Sequence, residues 1–128
     1  MRFLLDTHTF LWWVTNDPRL SARARTAIGK SDTEVFFSAV SGWEIIIKAQ
    51  LGKLQLPTHP KQFVIEHLAM NSFKSMPILL EHTLQLHALP MHHHDHFDRI
   101  LIAQSQSEHL PIITADPQFA SYDVEVIL

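Results

Sequence analysis

Short apolar runs, some of them closing on an acid, alternate along this chain with longer stretches of helical spacing. That alternation leaves few folds open. "RFLLD" (residues 2–6) and "LPIITAD" (110–116) read as buried strands that end in a carboxylate. "EVFFS" (34–38) reads as another strand, "KSMPIL" (74–79) as a weaker one and "VEVIL" (124–128) as a fifth. Helices are expected over "THTFLWWVTND", "SARARTAIGK", "SGWEIIIKAQLGKL", "HPKQFVIEHLAMN", "EHTLQLHAL" and "HFDRILIAQSQSEH", with a helical turn over "PQFASY". Pro18 disfavours helix at the residue before it, and Gly52 punctuates the end of the third helix. In that helix Val40, Trp43, Ile47 and Leu51 recur at helical spacing, which marks them as its apolar face. Strands alternating with helices predict an α/β fold around a parallel sheet of four to five strands covered on both faces. Right-handed crossovers then bring the C-terminal ends of all strands to one edge, outside which ligands bind.

The 128 residues suit a single domain, residues 1–128, and show no internal repeat or linker. Hydrophobic content of 46% and charged content of 18% are globular values. The absence of cysteine excludes disulfides and thiolate metal sites and fits a cytoplasmic protein. The N-terminus is a poor signal peptide, and no apolar run approaches a membrane span, so no membrane role is expected. A net charge of −3 argues against binding nucleic acid by bulk electrostatics. A polyphosphate partner would require a bound divalent cation or a local basic patch.

Four carboxylates from four segments are expected to converge at the sheet edge. Asp6 ends the first strand, Asp116 follows the fourth, Glu44 sits in the helix after the second, and Asp98 lies in the first turn of the helix before the fourth. Each also has a structural reading. Asp6 and Asp116 suit helix caps, the latter with Pro117 next to it. Asp95 and Asp98 are spaced like a cap and its third residue, and Glu44 precedes Lys48 by four, as in a helical ion pair. The structural readings weaken when the four are taken together. Ser, Thr or Asn would cap as well, and clustered like charges cost stability unless a cation lies among them. Hard oxygen donors of this kind suit Mg²⁺ or Mn²⁺, which support phosphodiester hydrolysis.

The segments "FLLDTHTFLWW" (3–13), "SAVSGWEIIIKAQLGKLQLP" (38–57), "HHDHFDRILIAQS" (93–105) and "ITADPQF" (113–119) together resemble PIN-domain ribonucleases. The resemblance is to the VapC-like toxins of bacterial type II toxin–antitoxin pairs. It implies a three-layer α/β/α sandwich and a metal-dependent endoribonuclease that uses Mg²⁺ or Mn²⁺ and leaves a 5′-phosphate and a 3′-hydroxyl. It also implies a cognate VapB-like antitoxin that blocks the site, and a homodimer. The acidic positions of that family fall on Asp6, Glu44, Asp98 and Asp116. Thr114 matches a frequent hydroxyl residue, Asp95 matches an auxiliary acid, and His96 stands where the family pattern has proline.

Arg99 and Lys48 are the basic residues nearest the acids in sequence and are candidates for RNA phosphate contact; pairing with a neighbouring carboxylate is the competing reading for Arg99. Phe97 is expected to anchor in the core. Two rival functions come from other classes. One is a catalytically silent PIN-like binding module. The other is a His-rich metal-binding protein using His92, His93, His94 and His96, although neighbouring histidines on a regular helix cannot all face one centre. Under the ribonuclease reading this histidine run decorates a loop beside the acids.

Overall fold

The computed structural model describes residues 1–93 and 95–128; His94, within the histidine run, lies outside the described residues. The strands are β1 (Arg2–Leu5), β2 (Glu34–Ser38), β3 (Lys74–Met76), β4 (Ile112–Ile113) and β5 (Val126–Ile127). The α-helices are α1 (Thr7–Val14), α2 (Ala22–Gly29), α3 (Ala39–Gln50), α4 (Pro60–Asn71), α5 (Leu80–Gln85) and α6 (His96–Glu108). A 3₁₀ turn (Leu86–Ala88) extends α5, and another (Pro117–Ser121) follows β4. The strands form one sheet in the order β3-β2-β1-β4-β5, every pair parallel.

Strand side chains alternate between two apolar clusters. Phe3, Leu5, Val35, Phe37 and Ile113 belong to one, and Leu4, Phe36 and Ile112 to the other. The first cluster is covered by α1, α2 and α4 through Phe10, Leu11, Ala24, Ile28 and Phe63. Phe10 lies against Phe37 with ring centroids 4.5 Å apart. The second is covered by α6 through Leu101, Ile102 and Ala103, with Phe119 from the last 3₁₀ turn. A parallel sheet apolar on both faces must be covered on both, so the layers stack α/β/α. No described helix is long and apolar enough to cross a membrane.

Local chemistry trims several expected elements. Helix α1 stops at Val14 because the Thr15 hydroxyl bonds back to the Leu11 carbonyl at 2.7 Å and Asn16 turns to φ 53°. Helix α3 begins at Ala39, earlier than expected, because Ser38 caps it by accepting the Val40 N–H at 3.0 Å. The expected apolar face of α3 is only partly correct. Val40 is buried, but Trp43 is 50% exposed, and the inward face consists of Val40, Ser41, Glu44 and Ile45. The helix thus buries a carboxylate in place of a tryptophan, and buried hydroxyls meet that carboxylate.

Candidate active site

The strand order reverses at β1: β2 and β3 extend the sheet to one side, β4 and β5 to the other. In open parallel sheets the crevice beyond the strand ends at such a reversal is where ligands bind. β1 delivers Asp6 to this crevice, and β4 delivers Thr114 and Asp116. The junction is closed by the Asp6 N–H donating to the Ile113 carbonyl at 3.1 Å.

Asp6 is only 5% exposed. One carboxylate oxygen accepts the Thr9 N–H at 2.8 Å and so caps α1, as its structural reading requires. The other accepts the Thr114 hydroxyl. Burial pushes the Asp6 carboxyl above its ordinary range, against the opposing pull of the Thr114 and Thr9 hydrogen bonds. The Thr114 oxygen also accepts the Asp116 N–H at 3.0 Å, so one hydroxyl fixes the orientation of two acids. Thr114→Val keeps the shape and removes both bonds. It is expected to weaken Mn²⁺ binding about 10–100-fold, the usual effect of losing a group that orients ligands. Calorimetric titration checks this, and an unchanged Kd would exclude the role.

Glu44 is buried at 2% exposure. The Thr7 hydroxyl lies 2.6 Å from its Oε1 and 2.9 Å from the Ser41 hydroxyl, and Lys48 Nζ pairs with Oε2. Lys48 is therefore engaged with Glu44 one turn away, as the ion-pair spacing predicts. Its ammonium is raised in pKa by Glu44, with Asp95 and Asp98 adding to the effect, although desolvation acts the other way and more strongly than any single one of these.

Asp98 lies in the first turn of α6, and Asp95 caps that helix by accepting the Asp98 N–H at 3.1 Å. The Asp98 carboxyl is pushed up to about 8, first by burial, then by the negative charges of Asp95, Glu44, Asp6 and Asp116. Asp98 thus feels the charge of the other three sequence-selected acids.

One close grouping at the crevice contains His93, which the sequence alone places as loop decoration. His93 Nε2 lies 3.1 Å from Asp98 Oδ2 and 3.1 Å from Asp116 Oδ2. One donor atom from each of these three lies within 4.8 Å of the others, whereas neither Asp6 nor Glu44 joins that set. The His93 Nδ1 accepts the Asp95 N–H at 3.2 Å. In the neutral ring the proton therefore sits on Nε2, directed at both carboxylates. Asp116 also accepts the Gln118 N–H at 2.9 Å, fulfilling its capping reading. The spacing of His93 two residues before Asp95 was the one available signal, and adjacent histidines obscured it.

Arg99 requires correction. It is buried, with no ion pair among the described residues, and it donates to the Pro90 carbonyl at 2.9 Å and lies 3.4 Å from the Tyr122 hydroxyl. It neither faces solvent as a phosphate contact nor pairs with a carboxylate; it ties the histidine-bearing loop to the end of the chain. Phe97 is half-buried; it packs against the second apolar cluster, as expected, and also edge-on against exposed Trp43 at 4.9 Å, so it joins α6 to α3 as well. The described histidines diverge. His92 meets the Tyr122 ring at 5.3 Å, His93 enters the acids, and His96 is exposed at the first position of α6. They do not form a shared histidine centre.

The donor set fits a divalent cation. It consists mainly of carboxylate oxygens, with one imidazole beside them. Burial first, and then the repulsion of neighbouring acids, raises the Asp98 carboxyl, a cost of negative charge that a bound cation would relieve.

A parallel sheet with carboxylates crowded at its reversal point defines a class of α/β proteins built to concentrate negative charge at one crevice. The chain belongs to the PIN domain family, whose model matches residues 3–125. PIN domains are generally nucleases. None of the curated proteins matches the chain significantly. Among solved structures it is similar to a chain of VapBC2 from Rickettsia felis bound to a DNA fragment from their promoter, with TM-score 0.74, 10% identity and coverage of 99% of this chain and 98% of that one. FitAcB from Neisseria gonorrhoeae gives TM-score 0.65, 19% identity and coverage of 100% and 97%. VapBC-5 from Mycobacterium tuberculosis, a toxin–antitoxin system, gives 0.63, 19%, 98% and 97%. At these identities the likeness is one of fold.

Proposed function

We propose that this single PIN domain is a metal-dependent endoribonuclease and the toxin of a type II toxin–antitoxin pair, with a cognate antitoxin and a second copy of itself as partners. The observation that carries the reading is the convergence of Asp6, Glu44 and Asp116 on Asp98, whose carboxyl burial and these neighbouring charges together push up to about 8. A scaffold has no use for such repulsion, whereas a cation-dependent site requires it.

Asp98 and Asp116, with Asp6 and Glu44 beside them, would hold Mg²⁺ or Mn²⁺. Such an ion, when bound, supplies Lewis-acid charge to a phosphate oxygen and makes water more acidic. The chain's own residues prepare the crevice. Thr114 fixes Asp6 and the Asp116 backbone, and Thr7 with Lys48 fixes Glu44. Asp95 presents Asp98 from a capped helix. His93 holds the Asp98 and Asp116 carboxylates together through its Nε2 proton. No side-chain nucleophile is needed. Single-stranded or looped RNA is the expected target, since the backbone must enter a crevice at a sheet edge.

The test is incubation of the purified chain with total RNA and Mg²⁺ or Mn²⁺, followed by end mapping. Fragments bearing 5′-phosphate and 3′-hydroxyl ends are expected. Intact RNA with either ion, from protein that binds the ion, would refute the ribonuclease assignment.

A further inference from the structure

A cleft of about 450 Å³ opens beside the acid crevice, within the roughly 300–1,000 Å³ typical of small-ligand sites. Thr7 and Glu44 line it, so it begins where the acid cluster ends. One wall is α1, with His8 and Trp12; the facing wall is α3, with Lys48; and the segment after α3 closes it with Lys53 and Leu56. Its chemistry is mixed in a particular way. The His8 and Trp12 rings lie 6.1 Å apart, and the Arg19 guanidinium sits 4.9 Å from the Trp12 ring centre. Asp17 pins that guanidinium through two hydrogen bonds of 3.1 and 2.8 Å. Lys53 is exposed, and among the described residues no carboxylate pairs with it. Around this concavity Arg19 and Lys48 are paired with Asp17 and Glu44, which leaves Lys53, unpaired among the described residues, as its excess positive charge.

We infer that this cleft is a nucleotide subsite that takes the base and phosphate flanking the scissile phosphate, and that it helps select the cleavage sequence; this rests on the ribonuclease reading. The exposed His8 ring, beside partly buried Trp12, gives a base a stacking surface irrespective of its edge, a contact worth about 1–3 kcal/mol per base. The Lys53 ammonium meets the backbone phosphate, and Arg19, already oriented, offers an N–H edge to base acceptors.

The test uses a nuclease-resistant 2′-O-methyl RNA pentanucleotide, with binding followed by fluorescence anisotropy in chelator. His8→Ala and Lys53→Ala change exposed side chains, so folding is checked simply by an unaltered melting curve. The double variant is expected to bind about tenfold more weakly than wild type. Lys53→Ala is expected to lower the slope of log affinity against log salt by about 0.7. With Mn²⁺ added, Arg19→Ala, which removes the donor to the base edge, should shift the mapped cleavage sites in the base next to the cut. Affinity within about twofold of wild type would overturn the subsite. So would weakened binding of an acidic pentapeptide with RNA binding unchanged, which would reassign the cleft to a polypeptide. Wild-type protein that binds the oligonucleotide but cuts no RNA with either ion would instead refute the ribonuclease reading and leave the binding result standing.

Discussion

Asp98→Asn lowers Mn²⁺-dependent RNA cleavage by about a hundredfold or more while the fold is retained. The substitution preserves shape and the first-turn position in α6, so the capping bond from the Asp98 N–H to Asp95 survives. It removes the carboxylate on which burial and four neighbouring acids converge. It also leaves His93 Nε2 facing an amide, so the link between Asp98 and Asp116 weakens. The measurement is single-turnover cleavage of a labelled RNA with a chelator control. Undiminished cleavage by the variant would remove Asp98 from the chemistry, and undiminished cleavage in chelator would remove the metal.

The same substitution should make the metal-free protein more stable above neutral pH. The folded-state pKa of Asp98 is about 8, against 3.8 for the ordinary group. Below about pH 3.8 the carboxyl is protonated in both states and contributes no pH dependence. Between that value and about 8 the unfolded chain has released the proton while the folded chain retains it, so stability falls as pH rises. Asp6, raised by burial, acts in the same direction. The Asp98 side chain is 21% exposed, and solvent screening reduces its contribution to roughly 1–2 kcal/mol. In chelator, wild type is expected to melt about 3–8 °C lower at pH 8 than Asp98→Asn, with the gap closing near pH 4. Saturating Mn²⁺ should raise wild type by about 3 kcal/mol at a hundred times Kd and leave the variant nearly unmoved. A wild-type melting temperature that rises from pH 4 to 8 faster than the variant's would contradict the assignment.

Much of this was legible in the sequence because position along a strand is easily read. "RFLLD" and "IITAD" each place a carboxylate at or just past a strand end, and a parallel sheet has only one edge to receive them. Asp98 followed from the apolar pattern of α6. What failed was the prediction of which way side chains point. In α3, spacing alone favoured Trp43 as a core residue, yet the Thr7 hydroxyl of α1, which bonds Glu44 and lies against the Ser41 hydroxyl, accompanies an inward face that buries the acid. Arg99 stands beside Asp98 in sequence and reads as basic surface, but the carbonyl of Pro90 draws it inward. His93 was hidden among its neighbours, because only the loop's path decides which histidine meets the acids.

The pairing of β1 with β4 has a consequence for the birth of the molecule. The first acid is made at residue 6, and the hydroxyl that orients it is at residue 114, a separation of 108 positions. Until β4 has left the ribosome, β1 has no neighbour on that side, and no shorter nascent fragment can bring Asp6, Asp98 and Asp116 together. A protein whose proposed work is to cut RNA is thus assembled, surrounded by RNA, with its cutting edge incomplete until residue 116 has emerged.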